Sequence, residues 1–225
     1  MIKFTYFGHS CFLIEGSKGK VIIDPFLRGN PHVKVNPNEI TTNAILATHG
    51  HADHLGDAVE ISQKNHAPVI GVYELVQYCI GKGATGHAMN IGGSYRFEFG
   101  EVALTPALHS SGCQDGAYAG NPCGFILKMD NKTIYHAGDT GLSLEMKLVG
   151  ESHNIDVAFL PIGDNFTMGT DDAIRAADFV RCNKILGVHY DTFPPIKIDH
   201  AEAQRKFKAA GKELYLLKIG ETLTL

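Results

Sequence analysis

The run Thr48-His49-Gly50-His51-Ala52-Asp53-His54 places three imidazoles and one carboxylate within six positions. These are the nitrogen and oxygen donors that zinc, iron and manganese accept. The run follows Ala44 to Ala47, which reads as a buried strand, and it leads into helical sequence. His49 and His51, two residues apart as the chain leaves the strand, can project to one side. Asp53 and His54, entering the helical turn, can project toward a second position, so one run can serve two ions. The competing reading is a polar loop with histidines by chance. It fails because burying so many polar groups without partners is costly.

Such a run needs rigid elements beneath it. Strand-like segments span Ile2 to Phe7, Cys11 to Glu15, Val21 to Asp24 and Ala44 to Thr48. A hairpin is expected from Tyr95 to Phe99 and Val102 to Leu104, turning at Gly100-Glu101, because a leading glycine suits a type II′ turn. A second is expected from Phe125 to Met129 and Thr133 to His136, turning at Asp130-Asn131. Single strands follow at Val157 to Pro161 and Lys184 to Val188. Helices are expected over Gly56 to Asn65, over Tyr73 to Ile80 with Gly81 as its stop, and from a Thr170 cap to Arg181. A last helix opens on Asp199 and Glu202 at capping-box spacing and ends at Gly211. Hairpins first and single strands between helices later predict an α/β (α+β) chain, with packed sheets and outer helices. Leu27 to Ile40 is the clearest long loop, and no linker divides residues 1–225, so one domain is expected.

Composition narrows the function classes. Of 225 residues, 44% are hydrophobic and 20% charged, which is globular usage. No apolar run approaches the roughly 20 residues of a membrane span. Lysine and arginine total 20 against 24 acids, a net charge of −4, which argues against nucleic acid as partner but not against one phosphate on a small substrate. The first residues, MIKFTYFGHSCFLIEG, lack a leader pattern, so a cytoplasmic protein is expected. Five cysteines without close pairs read as reduced core residues. A homo-oligomer is compatible with this sequence, which carries no sign for or against one.

The run resembles the HxHxDH signature of the metallo-β-lactamase superfamily, and that family's later motifs are matched in order. These are His109 in Thr105-Pro106-Ala107-Leu108-His109, Asp139 in Tyr135-His136-Ala137-Gly138-Asp139-Thr140, and His189 in Gly187-Val188-His189-Tyr190. Gly8-His9-Ser10-Cys11-Phe12, Ile23-Asp24-Pro25-Phe26 and Leu160-Pro161-Ile162-Gly163 resemble the UPF0173 metal-dependent hydrolases. The ascorbate-6-phosphate lactonase and N-acyl phosphatidylethanolamine phospholipase D branches are more loosely similar. The resemblance implies a four-layer αββα sandwich, two mixed sheets face to face with helices outside, and a cleft at the strand ends.

It also implies two divalent ions per chain, zinc first and manganese or iron as the other choices. His49, His51 and His109 would hold one ion, Asp53, His54 and His189 the other, and Asp139 would bridge. Two such ions share a water and lower its pKa, so hydroxide on the metals would cleave an ester, lactone, amide or phosphoester of a small molecule. Asp53 and Asp139 are then the catalytic carboxylates. Asp24 and His9 are candidates for supporting the ligands from behind. Arg28, Lys34 and Lys197 are candidate anion contacts, though solvated loop cations are the commoner explanation, and Asp164, Asn165, Thr167 and Met168 are candidate cleft residues, with a plain helix-entry loop as the competing reading. His32, His66, His87, His136, His153 and His200 lack ligand context. The alternatives are a mononuclear-iron oxidoreductase of the sulfur dioxygenase kind and a metal-binding protein without turnover.

Overall fold

A computed structural model describes residues 1–225. The first half runs β1 (Lys3–Tyr6), β2 (Phe12–Gly16), β3 (Gly19–Ile23), β4 (Ala44–Leu46), α1 (Ala52–Leu55), α2 (Ala58–Asn65), β5 (Val69–Val72), α3 (Tyr73–Gly81) and β6 (Gly86–Met89). The second half runs β7 (Ser94–Phe97), β8 (Gly100–Pro106), β9 (Cys123–Met129), β10 (Lys132–His136), α4 (Glu145–Ser152), β11 (Val157–Pro161), α5 (Thr170–Phe179) and β12 (Lys184–Val188). The chain closes with α6 (His200–Ala209), β13 (Glu213–Tyr215) and β14 (Thr222–Thr224).

Two seven-stranded sheets result, ordered β14-β1-β2-β3-β4-β5-β6 and β13-β12-β11-β10-β9-β8-β7. Each is half antiparallel and half parallel. In the first, pairing switches from antiparallel to parallel at β3; in the second it switches at β10. Phe159 of β11 meets Phe4 of β1 and Phe12 of β2 at ring-centroid distances of 5.6 and 4.7 Å, so the sheets pack face to face.

Strand alternation decides what each face buries. On β9, Phe125 and Leu127 join a core of 39 buried residues drawn from both sheets, whereas Ile126 points the other way. It belongs there to a second core of 17 residues that also contains Met146 of α4, Ala173 and Ala176 of α5, and Phe207 of α6. Both faces of β9 are buried, so its sequence is apolar throughout apart from Lys128. The αββα layering expected from the sequence is present. No helix is long and apolar enough to cross a membrane.

The second hairpin turns where expected, with Asp130 and Asn131 at φ 48° and 61° and Met129 paired to Lys132, a type I′ turn. The first turns at Glu98-Phe99 instead of Gly100-Glu101, because Phe97 pairs with Gly100. Neither turn residue has positive φ, so it is not a II′ turn. The helix expected over Gly56 to Asn65 begins only at Ala58, as α2, and a separate short helix, α1, precedes it. Gly56 interrupts them at φ 43°, where a Cβ would lie 2.5 Å from the Pro25 carbonyl oxygen. Its lack of a side chain lets the metal-motif turn close onto the Asp24-Pro25 turn.

Other boundaries differ by a residue or two. Helix α3 includes Gly81, and α5 is capped at Gly169, not Thr170, and ends before Arg181, which sits at φ 54°. At α6 the Asp199 carboxylate accepts the Glu202 N–H at 3.0 Å, as a cap should. Glu202 pairs with Arg205, however, so the capping box does not close. Strands β5, β6, β13 and β14 and helix α4 carried no legible pattern, being three to eight residues long.

Candidate metal centre

The functional side chains sit at the C-terminal ends of strands from both sheets. His9 follows β1, Asp24 follows β3, His49 to His54 follow β4, His109 follows β8, Asp139 follows β10 and His189 follows β12. Strand ends fixed by ladders on both sides are rigid, whereas the loops leaving them are free to bend inward. His9, Asp24 and His189 do so at φ 56°, 43° and 55°. Left-handed backbone at three non-glycine residues costs on the order of 1–3 kcal/mol each, strain of the kind held at functional sites.

Asp24 organises the floor. It is fully buried, and its Oδ1 accepts the Thr48 N–H at 2.9 Å while Oδ2 accepts the Thr48 hydroxyl at 2.7 Å. That hydroxyl has thus spent its proton, so at 2.9 Å from His49 Nδ1 it must accept from the ring. The same Oδ2 lies 2.8 Å from His54 Nδ1. Both imidazoles therefore carry their proton on Nδ1 and present Nε2 to the cleft, the arrangement a buried carboxylate imposes on metal-binding histidines.

Asp139 faces them. Its Oδ2 lies 3.2 Å from His54 Nε2, 2.9 Å from His189 Nε2 and 3.6 Å from His109 Nε2. Its Oδ1 is buried with no hydrogen-bond partner, and so are His54 Nε2 and His189 Nδ1. Three sets of donor atoms lie within 4.8 Å of one another: His49, His51 and His109; His49, His54 and Asp139; and His9, Asp53, His54 and His189. Unpartnered donors converging in a buried place are what a cation would satisfy. The residues fit divalent ions.

Electrostatics carry the same mark. Burial pushes His49 well down, pushes His51 and His109 down, and takes His9 to about 4. Burial also acts downward on His54, yet Asp139 and Asp24 override it and raise His54 well above the usual range. Burial would lift Asp53 and Asp139, but His9 and His54 hold the first below the usual carboxylate range, and His54 and His189 hold the second well below it. The pocket concentrates negative charge that calls for a counter-cation.

All seven ligand positions expected from the sequence are thus gathered here, with Asp24 and His9 against them. His9 Nε2 is 3.2 Å from Asp53 Oδ2, and its Nδ1 is 2.9 Å from the Thr192 hydroxyl. Two contributors had no assigned role in the sequence: Thr48, visible only as the residue before the motif, and Thr192, for which no signal existed. His136 is buried and accepts the Gly138 N–H at 3.1 Å, away from a ligand role. Arg28 is committed to Glu60 by two hydrogen bonds of 2.7 and 2.8 Å. Lys197, Asp164 and Asn165 line a separate surface cavity with Asp171 and Lys206. The five cysteines are free and buried.

Comparison with known proteins agrees with the geometry. The pattern of the family described as "Beta-lactamase superfamily domain" matches residues 3–189. A UPF0173 metal-dependent hydrolase of Pelotomaculum thermopropionicum is 48% identical over 229 residues, covering all of both chains. The chain belongs to the UPF0173 metal-dependent hydrolases of the beta-lactamase superfamily. Among solved structures, Igni18, a metallo hydrolase from Ignicoccus hospitalis, is 38% identical with a TM-score of 0.89, covering 99% of this chain and 97% of that one. An isothiocyanate hydrolase from Delia radicum gut bacteria is 19% identical with a TM-score of 0.79, covering 99% and 98%; at that identity it shows a shared fold. As in its UPF0173 relatives, the chain is a metal-dependent hydrolase whose His and Asp groups are placed for metal.

Proposed function

We propose that residues 1–225 act as one domain that holds two divalent ions, zinc first, and hydrolyses an ester, lactone, amide or phosphoester of a small molecule. His49, His51 and His109 hold one ion; Asp53, His54 and His189 hold the other; Asp139 bridges them. The observation that carries this reading is Asp139 itself, a buried carboxylate with Oδ1 unpartnered and three histidine Nε2 atoms around Oδ2. When bound, the ions supply a water acidified toward neutral pH and positive charge for the developing anion.

The chain's own contribution is orientation. Asp24 and Thr48 fix the tautomers of His54 and His49, so both Nε2 atoms reach the cleft as acceptors. Thr192 supports His9 from Nδ1, and His9 Nε2 stands 3.2 Å from Asp53 Oδ2. His51 and His109, half-buried, stand on the solvent side where a small substrate enters, with the Ser110 hydroxyl 3.4 Å from His51 Nε2. A pocket built this way needs no large induced change to align a nucleophile with a bound substrate.

Elemental mass spectrometry of the purified protein, paired with a panel of small carboxylic esters, lactones and phosphodiesters, tests the reading. Close to two zinc or manganese ions per chain with chelator-sensitive hydrolysis is expected. One iron per chain and no hydrolysis would replace it with oxygen or sulfur chemistry.

A further inference from the structure

Among the histidines outside the ligand set and His9, only His136 is buried, at 1% exposed. It ends β10 on the face that Ile134 turns into the core between the sheets. Its neighbours across the ladder are Phe125 and Phe159, and its ring lies on Phe159 at a centroid distance of 5.5 Å. An apolar side chain would suit such a place better, since Nε2 finds no partner there. Burial pushes the ring's proton affinity down, so it is neutral. What the imidazole does supply is an acceptor: Nδ1 takes the Gly138 N–H at 3.1 Å.

That bond falls where the sheet stops supporting the chain. The Ala137 N–H still donates to the Phe159 carbonyl at 3.0 Å, continuing the ladder between β10 and β11. Gly138 turns away at φ 66°, packed so closely that a Cβ would lie 2.5 Å from the Cys123 carbonyl oxygen. Its buried N–H has left the ladder, and His136 provides the partner it needs. Asp139 comes next. Beyond it Thr140 is held from the other side, by the Leu108 N–H on its hydroxyl and the Met168 N–H on its carbonyl, both at 3.0 Å. The backbone is therefore pinned on either side of the carboxylate, and the upstream pin is a polar side chain set in an aromatic layer.

We propose that His136 is a positioning residue for Asp139: its Nδ1 fixes the Gly138 turn so that the carboxylate stands where it can bridge two ions. The proposal rests on the bridging reading of Asp139. Two substitutions separate it from a purely structural role. Leucine keeps apolar bulk but offers no acceptor, whereas asparagine is smaller and polar and carries an oxygen near the place of Nδ1. In metal-free protein His136→Asn should therefore lower the thermal midpoint more than His136→Leu. Zinc affinity, read by chelator competition, should run the other way, weakened about 10–100-fold in His136→Leu and no more than about threefold in His136→Asn. Imidazole nitrogen chemical shifts of the unsubstituted protein need no variant, and should show His136 protonated on Nε2 and bare on Nδ1. Zinc affinities that follow the thermal midpoints, or the opposite tautomer, would overturn the proposal. Fewer than two ions on the unsubstituted protein would overturn the bridging reading, and this proposal with it.

Discussion

Asp24 and Asp139 occupy corresponding places in the two sheets. Each follows the strand at which pairing switches from antiparallel to parallel, β3 in one sheet and β10 in the other. Both are buried, yet their surroundings differ. Asp24 has both oxygens filled, by Thr48 N–H, the Thr48 hydroxyl and His54 Nδ1. Asp139 has one oxygen bare and the other facing the Nε2 atoms of His54, His109 and His189. The same position thus yields an orienting carboxylate where both oxygens are filled by the protein, and a cation-seeking one where an oxygen is left bare among histidines. His54 spans the pair, Nδ1 on Asp24 and Nε2 on Asp139.

The largest effect expected from breaking this contrast is Asp139→Asn. It should empty the metal centre and take hydrolysis to background, read by elemental analysis and turnover; two retained ions with full turnover would remove the bridging role. Asp24→Asn should be milder on the metals and harsher on the fold. Loss of the acceptor at His54 is expected to weaken metal affinity about 10–100-fold, measured by chelator competition. The misplaced amide should cost about 1–3 kcal/mol in denaturant unfolding of the metal-free protein. Equal effects of the two substitutions would erase the distinction drawn here.

pH sharpens the contrast between histidines. His54, with a carboxylate at each nitrogen, is raised, whereas buried His9 is lowered to about 4 and His49 well down. For a histidine depressed on folding, the unfolded chain binds the extra proton, so stability is complete above about 6.5 and is lost as pH falls toward about 4. The thermal midpoint of chelator-treated protein should fall across that window, and a flat profile would contradict it. His54 works in the opposite sense: its contribution is complete below about 6.5 and fades only as pH rises through its raised value.

The smallest effect belongs to Asp164→Asn. Asp164 follows β11, the strand that corresponds to β4, but it is exposed and accepts only local backbone N–H groups such as that of Asn165. Asparagine tolerates its φ of 60°, so metal content should be unchanged and stability should move by no more than about 0.5 kcal/mol. A drop in bound metal would mean that the second sheet's parallel half contributes more than Asp139 and His189.

The chain's local chemistry was legible from residue types. A dense His and Asp run after an apolar strand has few stable explanations, and Asp130-Asn131 between two apolar strands announces its turn. The Gly100 hairpin misled because a glycine can end a turn as well as open one, and only cross-strand register tells which. Gly56 read as helix because nothing local shows that the Pro25 carbonyl lies against it.

Sequence by itself therefore determined most element types and the dense His and Asp run at 49–54, through periodicity and donor chemistry, which are properties of short segments. The four-layer architecture and the places of His109, Asp139 and His189 were implied by the chain's resemblance to the metallo-β-lactamase superfamily. Only the tertiary structure decided that Asp24 orients while Asp139 stays open, that Thr48 relays one carboxylate to His49, and that Thr192 supports His9 across 183 positions of chain. Hydrogen-bond saturation depends on which distant groups share a buried volume, and no spacing along a chain encodes that.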